Sequence, residues 1–439
     1  MQQEQEHQKQ RGGYLALVDC NNFYVSCERV INAGLRGRPV VVLSNNDGCV
    51  VARSDEAKAP GIEEGTPLFL AKRFFQQNGV QVYSSNYELY GDMSRRVMDA
   101  LARFDDEVEV YSIDECFLRF DGSPSPSTLT AYARQIRSMV RKWTGIPVSV
   151  GVGPTKTLAK IANKTAKKAP ALRGALAVRL GPTLDRLLGD FPVEKVWNIG
   201  AARARFLQGH GVTSAQGLRD ARDNWLRKYL TVQGLRTAWE LRGTPCFPLE
   251  PTYPAKKIIT CSRSFGKPVT RVEELREALS VYVSRAAVKL RRQGSACGKM
   301  EVFIQTSPHR TERAYYGPSA KVTLPVASAF TPTLVKHALA VLERLYRPGH
   351  DYVKAGCTLS ALVAQGTAQL SLFEPDAADT REQQALMATV DTLNRHLGKD
   401  ALFLAGAGAP GERAWAMRRD RKSPAYTTRW DDLFTVEAG

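Results

Sequence analysis

Nothing in this 439-residue chain approaches the ~20 consecutive apolar residues that a membrane-crossing helix needs, so a spanning protein is not expected. The eight cysteines (Cys20, Cys27, Cys49, Cys116, Cys246, Cys261, Cys297 and Cys357) are scattered, with no Cys-x-x-Cys pair. That argues against a zinc site or a disulfide framework and for a reducing compartment. Residues 1–10 are polar and lack the apolar core of a secretion signal, so a cytoplasmic protein with a disordered tail over 1–13 is expected. There is no Gly-x-x-x-x-Gly-Lys-Ser/Thr loop and no Rossmann glycine pattern in a usable context. Internal repeats are absent too. Acidic residues are the scarcer charge, 44 against 61 Lys and Arg, which leaves a net +17. Such an excess points to a polyanionic partner, nucleic acid before a membrane surface.

What is present is 43% hydrophobic and 24% charged, ordinary for a globular protein, in a chain too long for one core. The most informative stretch is Tyr111-Ser-Ile-Asp-Glu-Cys-Phe117. An alternating strand over 107–113 runs into Asp114 and Glu115, and a second apolar run, 116–120, leaves at once. This reads as a hairpin with the acids at or beside its tip. Successive strand residues face opposite ways, so the two acids share a site only if the turn re-aims one of them. A third carboxylate, Asp19, ends the apolar run 14–18, and a sheet pairing the two segments would bridge the 114 − 19 = 95 intervening positions.

Further along, the patterns predict strands near 39–43, 49–52 and 148–152, and helices near 53–60, 92–104, 128–143 and 155–168. Residues 14–180 therefore read as a sheet of four or five strands with helices on one face. Short Gly-broken helices follow to 242, where Gly200, Gly209 and Gly211 suit a helix-hairpin-helix turn that lets backbone N–H groups approach a phosphate. Pro245, Pro248, Pro251 and Pro254 mark a semi-rigid linker. A second α+β unit comes next, with strands near 256–265, 299–305 and 352–363, a hairpin near 314–324, and helices over 271–292 and 332–345. Beyond 365 the pattern is less regular.

Three carboxylates on adjacent strands in a basic chain suit two-metal phosphoryl chemistry, with two Mg²⁺ ions completing their shells from substrate oxygens. Lys156, Lys160, Lys164 and Lys167 recur along one broad helix face and could meet a triphosphate. Arg53 and Lys58 form a second candidate cluster. On spacing alone, either could equally be a solvated basic face. Tyr24, five residues beyond Asp19, could exclude a 2′-hydroxyl by contact, although an aromatic in an amphipathic helix is usually core.

Several segments together resemble the Y-family translesion DNA polymerases, and most closely their UmuC type, the catalytic subunit of bacterial DNA polymerase V. They are Asp19-Cys-Asn-Asn-Phe-Tyr24, Leu43-Ser-Asn-Asn-Asp-Gly-Cys-Val50, Ser84-Ser-Asn-Tyr-Glu-Leu-Tyr90, Ser112-Ile-Asp-Glu115, Thr155-Lys-Thr-Leu-Ala-Lys160, Ile259-Thr-Cys-Ser-Arg-Ser-Phe-Gly266 and Ser423-Pro-Ala-Tyr-Thr-Thr-Arg429. The resemblance implies an α+β multi-domain right hand. Its ferredoxin-like palm would span 14–22 and 86–174, with small fingers at 23–85. A helical thumb would span 175–245, with a linker at 246–255. An α+β little finger would take 256–365, and a partner-binding region 366–439.

By the same resemblance, Asp19, Asp114 and Glu115 are the catalytic acids and, with the Cys20 carbonyl, the metal ligands. Tyr24 is the sugar gate, and Lys167 the triphosphate lysine. Where the family commonly has a Tyr and an Arg on the fingers, this chain has Asp55 and Lys58, so Lys58 or Arg53 is the candidate there. The pentapeptide of Gln369, Leu370, Ser371, Leu372 and Phe373 resembles the segment by which bacterial polymerases hold a sliding clamp. A processed UmuD-type dimer and RecA are implied as partners, alongside primed DNA and dNTP substrates. The expected activity is error-prone synthesis opposite damaged bases in the SOS response. The alternatives are a catalytically silent DNA-binding scaffold, which intact acids argue against, and a nucleotidyl cyclase, which leaves the later domains without a purpose.

Overall fold

Strand β1 (Gly13–Cys20) is buried on both sides, and everything around the site is laid down against it. The computed structural model describes residues 13–105, 107–122, 124–251, 255–309, 314–366, 379–398, 400–408, 413, 415–433 and 435. Two units result, one formed by 1–43, 49–253 and 421–439, the other by 44–48 and 254–420.

In the first unit, β1 passes through the left-handed Asn22 into α1 (Phe23–Ile31). Strands β2 (Val40–Leu43) and β3 (Val50–Arg53) precede the short α2 (Asp55–Lys58) and then α3 (Leu68–Gln77). After β4 (Gln81–Ser84), α4 (Tyr87–Leu101) is capped by the Asn86 side chain. The hairpin strands β5 (Val108–Val110) and β6 (Glu115–Asp121) lead to α5 (Pro126–Thr144), β7 (Val148–Gly153), α6 (Lys156–Lys168) and β8 (Ala175–Ala177). Four helices close the unit: α7 (Pro182–Asp190), α8 (Ala201–Gly209), α9 (Ala215–Asp220) and α10 (Asp223–Leu241).

The main sheet has the order β5-β6-β1-β7-β8, whereas β3-β2-β4 form a separate sheet with β2 and β4 parallel. Two features depart from the sequence expectation. The segments near 40–53 do not join the main sheet, because α3 and β4, which carry little periodic signal, give them a partner of their own. Helices also cover both faces of the main sheet. Ala16, Val18, Cys116 and Leu118 meet α4 and α5 on one side, while Leu17 and Phe117 meet Ala159 of α6 on the other. Gly151 and Gly153 make the second contact possible, since a Cβ on Gly151 would run into the backbone of Ala159 and Asn163.

The second unit contains β9 (Ile259–Val269), α11 (Val272–Arg292), β10 (Ser295–Thr306), β11 (Ser319–Ser328), α12 (Thr331–Leu345), β12 (Tyr352–Ala364) and α13 (Arg381–His396). Its sheet order is β11-β10-β12-β9, with α11 and α12 supplying the core. The hairpin expected near 314–324 is instead one arm, β11, pairing with the long β10. Helix α13 lies in a stretch read as irregular, although a reciprocal Thr380–Gln383 capping box marks its start. Among the described residues no helix is long and apolar enough to cross a membrane.

Candidate active site

Antiparallel pairing of β1 with β6 sets Asp19 directly opposite Glu115. Both therefore lie on the sheet face that α6 covers. Asp114 is brought in by the turn before β6. The backbone N–H groups of Tyr111 and Ser112 both donate to the Glu115 carbonyl, at 3.0 and 3.1 Å. Ser112 Oγ accepts from the N–H of Asp114 and Glu115, at 3.2 and 3.0 Å, and donates to Asp114 Oδ1 at 2.6 Å. The Asp114 carbonyl in turn accepts from the Cys20 N–H at 2.9 Å, tying the turn to the end of β1. A local serine thus does the re-aiming that two adjacent strand residues could not do alone.

Helix α6 brings positive charge to these acids. Lys160 Nζ donates to both Glu115 oxygens, at 2.9 and 2.8 Å, and Lys167 Nζ lies 2.5 Å from Asp19 Oδ1. The two lysines are seven positions apart, two helical turns, so one face serves both acids. The ring of Tyr111, 4.5 Å from the Lys160 ammonium, and that of Trp197, 5.5 Å away, box this lysine in. Lys156 is buried against Glu109 and the Pro248 carbonyl, and Lys164 donates to the Lys195 carbonyl at 2.7 Å. Lys156 and Lys160 are accordingly docked, whereas Lys164 and Lys167 meet their partners while still exposed. Burial lowers the Lys164 ammonium from its ordinary value, with neighbouring Lys160 adding to the effect.

Asp19 is held in an environment that disfavours its charged form. Burial lifts its carboxyl to about 6; Lys167 opposes this, while Glu115 and Asp114 add to it. Burial, followed by the charges of Asp19 and Asp114, also pushes the Cys20 thiol up, so that side chain stays protonated.

Tyr24 sits in the first turn of α1. Its ring stacks on Tyr90 with centroids 4.5 Å apart and planes 13° apart, and meets Tyr87 edge-on at 6.1 Å. Burial, then the nearby Tyr87 and Asp114, raises its phenol above the ordinary value. Of the two basic residues near α2, Lys58 reaches back to Asn22 Oδ1 and to Asp55, both at 2.8 Å. Arg53 donates instead to the Ile62 carbonyl. Lys58 is thus brought beside the Asp19–Tyr24 segment, while the Arg53 guanidinium is taken up locally. Gly200 caps α8, Gly209 ends it, and Gly211 follows in a left-handed conformation; nothing lies within 4 Å of where a Cβ on any of them would be. Gln369, Leu370, Leu372 and Phe373 lie outside the described residues.

Sequence reasoning missed Ser112, Glu109 and the buried Glu28. The signal for Glu109 was present: it is an acid at an inward position of an alternating strand, which demands a buried cation. Glu28 left no such trace, because its donors are far away in the chain.

Residues 18–164 match the impB/mucB/samB family, and 256–372 match the C-terminal domain of the same family. Protein UmuC of Salmonella typhimurium is 45% identical over 96% of this chain and all of its own length. The chain belongs to the impB/mucB/samB family. Protein SamB of Salmonella typhimurium is 42% identical over 95% of the chain and 98% of its own length. DNA polymerase IV 1 of Bacillus subtilis is 29% identical over 67% of the chain and 70% of its own length. Among solved structures, a Y-family DNA polymerase chimera of Dbh and Dpo4 superposes with a TM-score of 0.63 at 22% identity, covering 80% of this chain and all of the other. The fold is that of a Y-family polymerase. Residues 384–436 match a domain of unknown function, DUF4113.

Proposed function

We propose that this family member carries out translesion synthesis, adding dNTPs opposite damaged template bases by two-metal nucleotidyl transfer in the SOS response. The observation that carries the reading is the acid group at the joined ends of β1 and β6, faced by Lys160 and Lys167 on one helix. Asp19, Asp114 and Glu115, with the Cys20 carbonyl, are the residues that would hold the ions. Among the described residues no three acidic, cysteine or histidine side chains already converge as a ligand cluster. The donor set nonetheless fits Mg²⁺, being all oxygen, and burial, with Glu115 and Asp114 beside it, holds the Asp19 carboxyl up at about 6. When bound, the ions would activate a primer 3′-hydroxyl and neutralise the leaving pyrophosphate.

The protein's own groups do the positioning. Lys167 exchanges its bond to Asp19 for a triphosphate oxygen. Lys160 holds Glu115 with both carboxylate oxygens engaged. Tyr24, braced by Tyr90, excludes a ribose 2′-hydroxyl by contact. The glycines around α8 leave backbone open for template or primer phosphates, and the net charge of +17 favours DNA over a neutral partner. The work is assigned to the cytoplasm, with a sliding clamp, a processed UmuD-type dimer and RecA as partners.

Extension of a primed template with Mg²⁺ and those partners tests the reading, wild type beside Asp114→Ala. Wild type should extend the primer, and the variant should lose extension while keeping DNA affinity. Equal extension by both, or none by wild type, sinks the proposal.

A further inference from the structure

The sugar-gate tyrosine is braced from an unexpected direction. On α1, Tyr24 and Glu28 are one turn apart and lie on the same side of the helix. Tyr90 of α4 touches both, since its ring stacks on Tyr24 while its hydroxyl donates to Glu28 Oε1 at 2.8 Å. Glu28 is only 2% exposed, and a carboxylate this deep needs its donors. The second donor to the same oxygen comes from the far end of the chain, Ser423 Oγ at 3.0 Å.

Ser423 is itself held on several sides. Its hydroxyl accepts from Asn86 Nδ2 at 2.9 Å, and the same amide reaches the carbonyls of Ser423 and Pro424, each at 3.2 Å. The oxygen of Asn86 caps α4, the helix that carries Tyr87 and Tyr90. Just before Ser423 the backbone extends the small sheet at its β4 edge. The Ser84 N–H donates to the Arg421 carbonyl at 3.0 Å, and the Arg421 N–H donates to Ser84 Oγ at 2.9 Å. Two residues beyond Ser423, the Ala425 N–H donates to Asp432, closing the segment on itself. Residues 421–433 therefore form a strap across the β4 edge, the start of α4 and the buried face of α1. Burial pushes the Glu28 carboxyl up, and the bonds from Tyr90 and Ser423 oppose that push.

We propose that Ser423 is a positioning residue for sugar selection. Through Glu28 and Tyr90 it sets the ring of Tyr24, so the end of the DUF4113 segment is a working part of the nucleotide site. This rests on the reading of Tyr24 as the gate.

The test measures the ratio of kcat/KM for a deoxynucleotide to that for its ribonucleotide, in the assembly used for primer extension. It compares Ser423→Ala, Tyr90→Phe, their double variant, Tyr24→Ala and Lys422→Ala. Lys422 sits on the same strap but pairs with Glu88, so its removal should leave the ratio alone. Ser423→Ala and Tyr90→Phe each remove one donor to Glu28 and should lower the ratio roughly three- to tenfold. Both act through one carboxylate, so the double variant should fall short of the product of the two effects. A merely structural role for Ser423 would lower the melting temperature and leave the ratio at the Lys422→Ala value. That result, with Tyr24→Ala still abolishing discrimination, overturns the inference and spares the gate. An unchanged ratio in Tyr24→Ala removes both. If Ser423→Ala does not fold, Tyr90→Phe decides alone: a lowered ratio supports the relay, and an unchanged one overturns it.

Discussion

Replacing Asp19 by Asn should stabilise the metal-free first unit at neutral pH, by an amount that depends on pH in a definite direction. Burial lifts the Asp19 carboxyl from 3.8 to about 6, and its side chain is only 17% exposed, so solvent screens little of the effect. Between about pH 4 and about pH 6 the folded protein keeps a proton that the unfolded chain has released. Stability from this group is therefore complete below about pH 4 and is lost as pH rises through about 6. A shift of about two units, at ~1.4 kcal/mol each, comes to about 3 kcal/mol. An amide does not titrate, so the stability of the variant minus that of wild type should grow by about 3 kcal/mol between about pH 4 and about pH 8. Titrating groups that do not interact with Asp19 cancel in that difference. Urea titrations in EDTA, followed by tryptophan fluorescence, would measure it, because Trp415 is the one tryptophan of six outside the first unit. A difference that is flat with pH, or that falls, refutes the charge argument. Adding Mg²⁺ should then stabilise wild type more than the variant, as a ligand that binds only the folded state must. Equal gains would remove Asp19 from the metal ligands.

Three further outcomes are expected. Glu109→Ala removes the anion paired with the buried Lys156 ammonium, leaving the Pro248 carbonyl and the Phe117 ring, and should cost about 3–5 kcal/mol in the same titrations; a loss below about 1 kcal/mol would show that water reaches the pair. Gly151→Ala forces β7 away from α6, and should cost about 3 kcal/mol with loss of primer extension as Lys160 and Lys167 shift; unchanged stability would mean that the close approach is not needed. Replacing Leu372 and Phe373 together by Ala should weaken binding to a sliding clamp at least tenfold in a surface-plasmon measurement, as expected for anchor side chains, with distributive synthesis kept. Undiminished clamp affinity would discard the peptide.

Local pattern carried the sequence reading where the physics is local. Alternation over 107–120 announced a hairpin, and Asp114 falls in the turn between β5 and β6 while Glu115 opens β6. The 3.6-residue period announced α6 and put four lysines on one broad face. A period reports which residues share a face but not what that face meets, so a solvated helix remained open until Glu109, Glu115, the Lys195 carbonyl and Asp19 were found opposite the four lysines. The second helical face of the sheet escaped for the same reason. Gly151 and Gly153 lie on or beside the strand predicted near 148–152, and only the packing shows that they are the clearance for α6.

From the sequence by itself came the carboxylates, the lysine spacing, the position of Tyr24 and the basic balance, because each is a matter of residue type and short-range period. Only the tertiary structure decided that Asp19 faces Glu115 and that Ser112 turns Asp114 toward them. It alone decided that a serine 395 positions away holds Glu28 behind the gate tyrosine. Those pairings join segments whose separation leaves no mark on either, and they form because a buried carboxylate must find its donors wherever the fold can bring them.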